Sequence, residues 1–203
     1  MNTVNFKDQT IQPSKLICIG KNYMAHIEEM DSPIPDEAVF FMKPNSAISS
    51  EVKYNAVDEI HYEGEICLLI DKSEISAVAF GLDLTKRDIQ TKLKKQGFPW
   101  ERAKAFDGAA QFSEFVPLDV STETLNLELY INGELKQKGG YDLMLYKPEA
   151  ALKEIKRFFT LEDGDIIMTG TPSGVGKINQ GDEFVGKVFS GDDLLVEKQW
   201  LVK

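Results

Sequence analysis

The sequence contains little cysteine and little histidine, and it lacks an excess of basic residues. Its two cysteines, Cys18 and Cys67, each lie within an apolar run. That placement favours buried free thiols in a reducing compartment over a disulfide framework. No Cys-x-x-Cys motif or paired-histidine spacing predicts zinc. With 33 acidic and 23 basic residues, the net charge of −10 argues against a nucleic-acid partner.

Long hydrophobic runs are also missing. No apolar run approaches the ~20 residues that are needed to cross a bilayer. Residues 1–12 are polar and lack the apolar centre of a signal peptide. We therefore expect a cytoplasmic protein with no membrane partner. The length and the 42% hydrophobic content suit one well-packed domain over residues 1–203.

Short apolar runs rich in β-branched residues dominate what is present. They predict strands at 16–19, 39–42, 65–70, 77–82, 125–131, 165–168 and 194–202. Asn132-Gly133, directly after one of these runs, is a strong hairpin signal. Helical spacing is limited to 22–30, 85–95 and 148–158, with Thr85 as the expected cap of the second helix. The predicted class is α+β, rich in strands, with a few short helices.

The most informative pair of residues is Glu63 and Glu65. Residues two apart on a strand point to the same face. That face becomes apolar at Cys67 and Leu69, so both carboxylates should approach the interior. Repulsion and desolvation raise the pKa values of such acids, and a hard cation relieves both penalties. The alternative interpretation is a pair of solvated charges at a sheet edge.

A third carboxylate follows at Asp83, where the predicted strand 77–82 ends and a helix is expected to begin. If this strand neighbours the one that carries Glu63 and Glu65, three carboxylates converge. Three carboxylate oxygens with waters suit Mg²⁺ or Mn²⁺, and Ca²⁺ accepts the same ligand type. The alternative is that Asp83 only caps the helix.

His26 and Glu29 are three residues apart in the predicted helix 22–30, so their side chains can touch. Asn22 is expected on the same side of that helix. A carboxylate that fixes the imidazole tautomer and raises its basicity suits a general base. The alternative is a surface pair with little effect. The following loop contains Pro33 and Pro35 and is a candidate lid.

Lys104 lies between small and aromatic residues rather than in a charged stretch. Its ammonium could neutralise an enolate or a carboxylate, or the side chain could be an ordinary surface lysine.

The segment 169–177 looks like a phosphate loop, but five residues separate Gly170 from Gly176, so the Walker pattern is not met. We expect its backbone N–H groups and a hydroxyl to face a small anionic ligand. A structural turn that needs glycine is the alternative.

Taken together, these segments resemble the fumarylacetoacetate hydrolase superfamily from about residue 16 onward. The matching stretches include Ile19-Gly20-Lys21-Asn22-Tyr23, Phe41-Met42-Lys43-Pro44, His61-Tyr62-Glu63-Gly64-Glu65, Leu82-Asp83-Leu84-Thr85-Lys86-Arg87-Asp88, Ala103-Lys104-Ala105-Phe106 and residues 169–176. The chain is most similar to the short members without an extra N-terminal domain, which include acylpyruvate hydrolases and oxaloacetate decarboxylases. The resemblance also implies the strand-rich fold particular to this family.

The resemblance assigns roles to the candidate residues. It implies that Glu63, Glu65 and Asp83 are the ligands of a metal, usually Mg²⁺. It implies that His26 and Glu29 form the pair that activates water on a closing lid.

The resemblance further implies that Lys104 contacts the substrate. Arg87, Gln90 and Thr171 would help to hold a carboxylate or oxo group of a small 2-oxo acid. A homodimer is usual in the family.

The activity expected on this basis is metal-dependent hydrolysis of a C–C bond in a 2,4-dioxo acid of the acylpyruvate or fumarylpyruvate type. The alternatives are an oxaloacetate decarboxylase and an isomerase or hydratase of a 2-hydroxy-dienoate in aromatic-compound breakdown. A non-catalytic relative that binds a small ligand is a further alternative. Residues 107–112 depart from close acylpyruvate hydrolases, so the choice of substrate stays open.

Overall fold

The chain forms sixteen strands and four α-helices, and the computed structural model describes residues 1–203. The strands are β1 (Val4–Phe6), β2 (Gln9–Ile11), β3 (Lys15–Gly20), β4 (Val39–Pro44), β5 (Ile60–Tyr62), β6 (Gly64–Asp71), β7 (Glu74–Asp83), β8 (Thr85–Lys86), β9 (Ala110–Phe112), β10 (Val116–Pro117), β11 (Leu125–Ile131), β12 (Glu134–Gly140), β13 (Ile166–Met168), β14 (Gly176–Lys177), β15 (Glu183–Ser190) and β16 (Asp193–Leu201). The helices are α1 (Met24–Glu29), α2 (Arg87–Gln96), α3 (Glu101–Lys104) and α4 (Pro148–Phe158). This content confirms the strand-rich α+β class. None of the four helices is long and apolar enough to span a membrane.

The central sheet has seven strands in the order β10-β7-β6-β13-β3-β4, with β9 also paired to β7. Its strands pair antiparallel except for β13 and β3, which are parallel. A second sheet, β12-β11-β15-β16, is antiparallel throughout. Two small sheets, β1-β2 and β14-β5-β8, lie outside these.

The two larger sheets share the main hydrophobic core. Ile66 and Leu68 of β6 belong to one cluster with Leu127 and Phe184 of the second sheet. Gly186 of β15 allows this close packing, because a Cβ there would lie 2.2 Å from the Phe80 ring. Alternate residues of β6 therefore fill the core between the sheets, as the period of two predicts.

The opposite face of β6 packs in a smaller cluster that includes both cysteines. Cys18 and Cys67 are fully buried, unpaired thiols, as expected from the sequence. Both pair in register with Met168, which lies on the strand between them. This cluster lies directly beyond Glu65 along β6, so the glutamate side chain enters the interior as predicted.

The sequence patterns are confirmed at several elements, but the predicted starts of two helices near the site are wrong. The β11–β12 hairpin turns at Asn132-Gly133, both with positive φ, and β11 and α4 have the predicted bounds. Helix α1 begins only at Met24, so Asn22 is not on it. The Asn22 amide donates instead to the carbonyls of Thr169 and Tyr146.

Thr85 does not cap α2. The helix begins at Arg87, its N-cap position is Lys86, and no side chain caps it. Thr85 belongs to β8, which pairs with β5, and its hydroxyl donates to Glu63 Oε1 at 3.1 Å. Sheet pairing has therefore displaced the helix start by two residues from the predicted position.

Candidate active site

Three buried carboxylates meet where β6 begins and β7 ends. Antiparallel pairing sets Gly64 opposite Leu82 and Glu65 opposite Gly81, which brings Asp83 beside Glu63. One carboxylate oxygen from each of Glu63, Glu65 and Asp83 lies within 4.8 Å of the other two. Their exposed fractions are 6%, 2% and 1%. The predicted convergence therefore occurs away from bulk water.

The two glutamates do not share one continuous strand. Strand β5 ends at Tyr62 and β6 begins at Gly64, so Glu63 lies in the break between them. The backbone stays paired there through a hydrogen bond from the Asp83 amide to the Glu63 carbonyl, at 2.8 Å. The break lets β5 leave β7 and pair with β8 and β14.

Three cationic side chains surround these acids. Lys104 Nζ lies 2.7 Å from Glu63 Oε2 and 2.9 Å from Asp83 Oδ2, and it is itself buried. Arg87 donates to Glu63 Oε1 at 2.7 Å. Lys43, fully buried, lies 2.7 Å from Asp83 Oδ1 and also donates to the Lys104 carbonyl.

The pKa values of the two glutamates diverge. Burial opposes ionisation of Glu63, but Lys104 and Arg87 outweigh it and hold its pKa below the usual range. Burial raises the pKa of Glu65 well above the usual range, and the charges of Asp83 and Glu63 add to this effect. Burial lowers the pKa of Lys104, yet Asp83 and Glu63 more than compensate and raise it. Glu65 is thus the carboxylate that gains most from an added positive charge.

The loop 169–177 binds carboxylates of the protein itself. The Gly170 N–H donates to Glu65 Oε2 at 2.8 Å, and the Gly174 N–H donates to Glu29 Oε1 at 3.0 Å. Both glycines have a positive φ, and a Cβ at Gly174 would lie 2.1 Å from the Lys136 carbonyl oxygen. The expected use of these amides on an external anion is therefore wrong for Gly170 and Gly174, because protein carboxylates occupy both.

His26 and Glu29 form the predicted pair on α1, with 3.2 Å between His26 Nδ1 and Glu29 Oε2. The His26 side chain is 12% exposed and the Glu29 side chain 33% exposed. Because the Gly174 amide holds the other oxygen of Glu29, the loop that supports Glu65 also fixes the partner of the imidazole.

One pocket joins these groups. It encloses about 520 Å³ of empty space, mouth included, and its lining contains His26, Glu63, Asp83, Arg87, Gln90, Lys104 and Thr171. Arg87 also donates to Gln90 at 2.7 Å, which aligns the two side chains along α2. Eight of the nine predicted site residues thus line the pocket or pair with a residue that does. The ninth, Glu65, completes the acid cluster beneath it.

Two supporting residues were missed by sequence reasoning. Lys43 ends an apolar run just before Pro44. A single lysine in such a run was a signal that its ammonium is buried beside an acid. No pattern around Gln137 indicated its supporting role, because its hydrogen-bond partners are distant in sequence. It accepts from the Gly64 amide at 2.8 Å and donates to Thr171 Oγ1 at 2.8 Å. It therefore ties the second sheet to the start of β6.

Comparison with known proteins matches residues 15–196 to the family described as fumarylacetoacetate (FAA) hydrolase C-terminal. The chain belongs to the fumarylacetoacetate hydrolase family. One relative is the oxaloacetate tautomerase YcgM of Escherichia coli, 38% identical over 199 residues that cover 89% of this chain and 90% of that protein. Another is the mitochondrial oxaloacetate tautomerase FAHD1 of Bos taurus, 37% identical over 83% of this chain and 84% of that protein.

A solved structure has the same architecture. The fumarylpyruvate hydrolase of Pseudomonas aeruginosa, crystallised with Mn²⁺ and pyruvate, aligns with a TM-score of 0.90 and 30% identity. The alignment covers 99% of this chain and 95% of that one.

In the present chain, the cluster of Glu63, Glu65 and Asp83 fits a divalent cation. Its three carboxylates offer the hard oxygen donors that Mg²⁺ and Mn²⁺ prefer. Lys43 and Lys104 pair with Asp83, whereas the only protein group that donates to the Glu65 carboxylate is the Gly170 amide. A buried carboxylate without a cationic partner is costly, and a divalent cation would supply that partner.

Proposed function

We propose that this protein interconverts the keto and enol forms of oxaloacetate with a divalent cation. The observation that carries the proposal is a single pocket lined by Glu63, Asp83 and the paired imidazole of His26. The tautomerase names of relatives 38% and 37% identical over most of the chain support this substrate. The alternatives on the sequence were an oxaloacetate decarboxylase and an isomerase or hydratase of a 2-hydroxy-dienoate. These relatives share the substrate of the first alternative and favour it over the hydrolase expected first, although the reaction in their names is a tautomerisation.

The metal centre would consist of Glu63, Glu65 and Asp83. The cation bound there would act as a Lewis acid on the 2-oxo group and make the neighbouring C3 hydrogens more acidic. Mg²⁺ and Mn²⁺ both suit the donor set.

His26 is the base that we assign to the proton transfer. Because Nδ1 pairs with Glu29, Nε2 is the ring nitrogen left to take a proton from C3 of the keto form. The C3–H electron pair becomes the C2=C3 double bond, and the same proton is returned to the C2 oxygen. No proton is gained or lost overall. The reverse sequence regenerates the keto form.

The remaining residues hold the substrate. We assign to the Lys104 ammonium, which lies between Glu63 and Asp83, the stabilisation of negative charge as it develops on the C2 oxygen. Arg87 and Gln90 offer donors from α2. Thr171 also lines the pocket, but its hydroxyl donates to the Gly64 carbonyl and accepts from Gln137, so its part in binding would be to shape the wall. Burial of Lys104 strengthens its electrostatic effect, since little water screens it.

The test is the rate at which the ultraviolet absorbance of enol oxaloacetate decays, with excess Mg²⁺ and with a chelator. We expect the wild-type protein to accelerate the decay only with the metal. His26→Ala should lower the rate roughly 10²–10⁴-fold, the usual contribution of general acid–base catalysis. Glu28→Gln, which alters an exposed neighbour on α1, is the matched control. A His26→Ala variant with the wild-type rate would contradict the assignment.

Hydrolysis of a 2,4-dioxo acid is the second candidate, favoured by the structural match to a fumarylpyruvate hydrolase. In that reaction His26 would take a proton from water, and the hydroxide would add to the distal ketone at C4. The C3–C4 bond would then break to release a carboxylic acid and a 2-oxo acid enolate, which takes the proton back from His26. Pyruvate release from acylpyruvates, measured beside oxaloacetate enol decay and CO₂ release, separates hydrolase, tautomerase and decarboxylase.

A further inference from the structure

Two lysines at the pocket have no acidic partner. Lys21 and Lys94 both contribute to its lining, and no carboxylate oxygen lies within 4.0 Å of either ammonium. Their hydrogen bonds go to neutral oxygens, from Lys21 Nζ to the Pro33 carbonyl at 3.0 Å and from Lys94 Nζ to the Ser32 hydroxyl at 3.3 Å. Both ammonium groups therefore lack a compensating carboxylate at the pocket, although the chain has a net charge of −10.

The charge of this region contrasts with the interior of the same pocket. There, Lys104 and Arg87 both contact Glu63. Lys94 is exposed at the pocket mouth, and desolvation together with the nearby charges of Lys21 and Arg87 lowers its pKa, against the opposing charge of Glu63. A bound anion would relieve this repulsion.

The position of Lys94 on α2 relates it to the acid cluster. Arg87, Gln90 and Lys94 are spaced by three and four residues, so they share one face of the helix, and all three line the pocket. Lys94 lies about 10 Å along the helix axis from Arg87, which contacts Glu63. Helical side chains lean toward the N-terminus, so the Lys94 side chain extends back toward Arg87.

Lys21 has a backbone conformation that its residue type rarely adopts. Its φ is 56°, in the left-handed region, which is unfavourable for a lysine. Such residues are retained where the surrounding structure requires a particular placement, often at functional sites. At Lys21 this placement brings the lysine to the lining between strand β3 and helix α1.

We propose that Lys94, together with Lys21, binds the second carboxylate of a dicarboxylic 2-oxo acid whose 2-oxo acid end lies at Glu63 and Asp83. This inference rests on the proposed function and identifies the residues that select a diacid over a monoacid. Each ammonium has three donors, so it can bind the carboxylate and keep its bond to the loop that follows α1.

The test is calorimetric binding to the Mg²⁺-loaded protein of two ligands that need no turnover. Pyruvate carries one carboxylate. 3,3-Difluorooxaloacetate carries two and has no C3 hydrogen to lose. Lys94→Met should raise the Kd of the diacid on the order of tenfold, since a charge-assisted contact is lost. The Kd of pyruvate should stay within about twofold.

Two further variants serve as controls. Lys94→Arg keeps the charge and should retain most of the diacid affinity. Lys95→Met removes a neighbouring exposed lysine that does not line the pocket, and should leave both Kd values unchanged.

An unchanged diacid Kd in Lys94→Met, or an equal loss for both ligands, overturns the inference. If the wild-type protein turns over oxaloacetate while Lys94→Met binds the diacid normally, only the inference fails. If the wild-type protein binds neither ligand and shows no turnover, the proposed function fails with it.

Discussion

Replacing Lys104 by methionine should make the stability of this protein strongly dependent on a divalent cation. The lysine ammonium contacts Glu63 at 2.7 Å and Asp83 at 2.9 Å, and the residue is 2% exposed. Methionine has a similar length and preserves most of the packing, so the main loss is the charge. In the variant, the acid cluster keeps its repulsion but loses the cation that bridges two of its members.

The size of the effect follows from burial. Removing one partner of a buried ion pair costs about 3–5 kcal/mol, because the other charge is left uncompensated. Arg87 still contacts Glu63 and Lys43 still faces Asp83, so we expect a cost near the lower limit. For a chain of this length, about 3 kcal/mol lowers the melting temperature by roughly 6–12 °C.

Divalent cations should reverse the loss, since an ion that binds only the folded state stabilises it. The assay is thermal unfolding followed by circular dichroism, in chelator and in excess Mg²⁺, for the wild type, Lys104→Met and the exposed control Lys95→Met. We expect the Mg²⁺-induced rise in melting temperature to be larger for Lys104→Met than for either other protein. An equal rise in all three, or a wild-type melting temperature for Lys104→Met in chelator, would refute the reasoning.

Two other predictions concern the stability of the fold. Burial disfavours ionised Asp165, but hydrogen bonds from Lys15, Ser14 and the Glu162 amide outweigh it and hold its pKa below the usual value. A depressed pKa stabilises the fold at pH values above the unfolded-state pKa of about 3.9. This stabilisation is lost as the pH falls through the folded-state pKa. Asp165→Asn should therefore cost about 2 kcal/mol at neutral pH, and the difference from wild type in urea unfolding should shrink in acid; a constant difference would contradict this linkage. Gln137→Leu leaves the buried Gly64 amide without its acceptor and should cost about 3 kcal/mol, whereas Gln199→Leu, at an exposed position, should unfold like wild type.

Sequence patterns predicted the strands and helices that depend on neighbouring residues. Strand β11 and its hairpin follow from alternating apolar residues and Asn132-Gly133, and α4 follows from Pro148 at its first position. The hairpin signal implied a strand after Asn132-Gly133, but the bounds of β12 were not predicted because it is largely polar, and β15, which contains Gly186, was not predicted at all. Strand β11 lies between them, and antiparallel pairing with β11 supports the strand conformation of both.

The outcome at Thr85 shows a local preference overridden by tertiary pairing. Threonine is a good helix cap, and the pattern favoured that role. Pairing with His61 instead extends the backbone at Thr85 and sends its hydroxyl to Glu63. A residue expected to begin a helix therefore supports the acid cluster.

By itself, the sequence determined where the Glu65 carboxylate points. The period of two along residues 65–69 directs Glu65 into the same interior face as the apolar residues that follow, and that property needs only backbone geometry. Only the tertiary structure decided which cations meet these acids. Lys104 is 41 residues from Glu63 in sequence and reaches it from α3. Lys43 comes from β4 and Arg87 from α2. Contacts between such distant elements depend on how the sheet orders its strands and on which helices pack beside them, and residue spacing does not encode that arrangement.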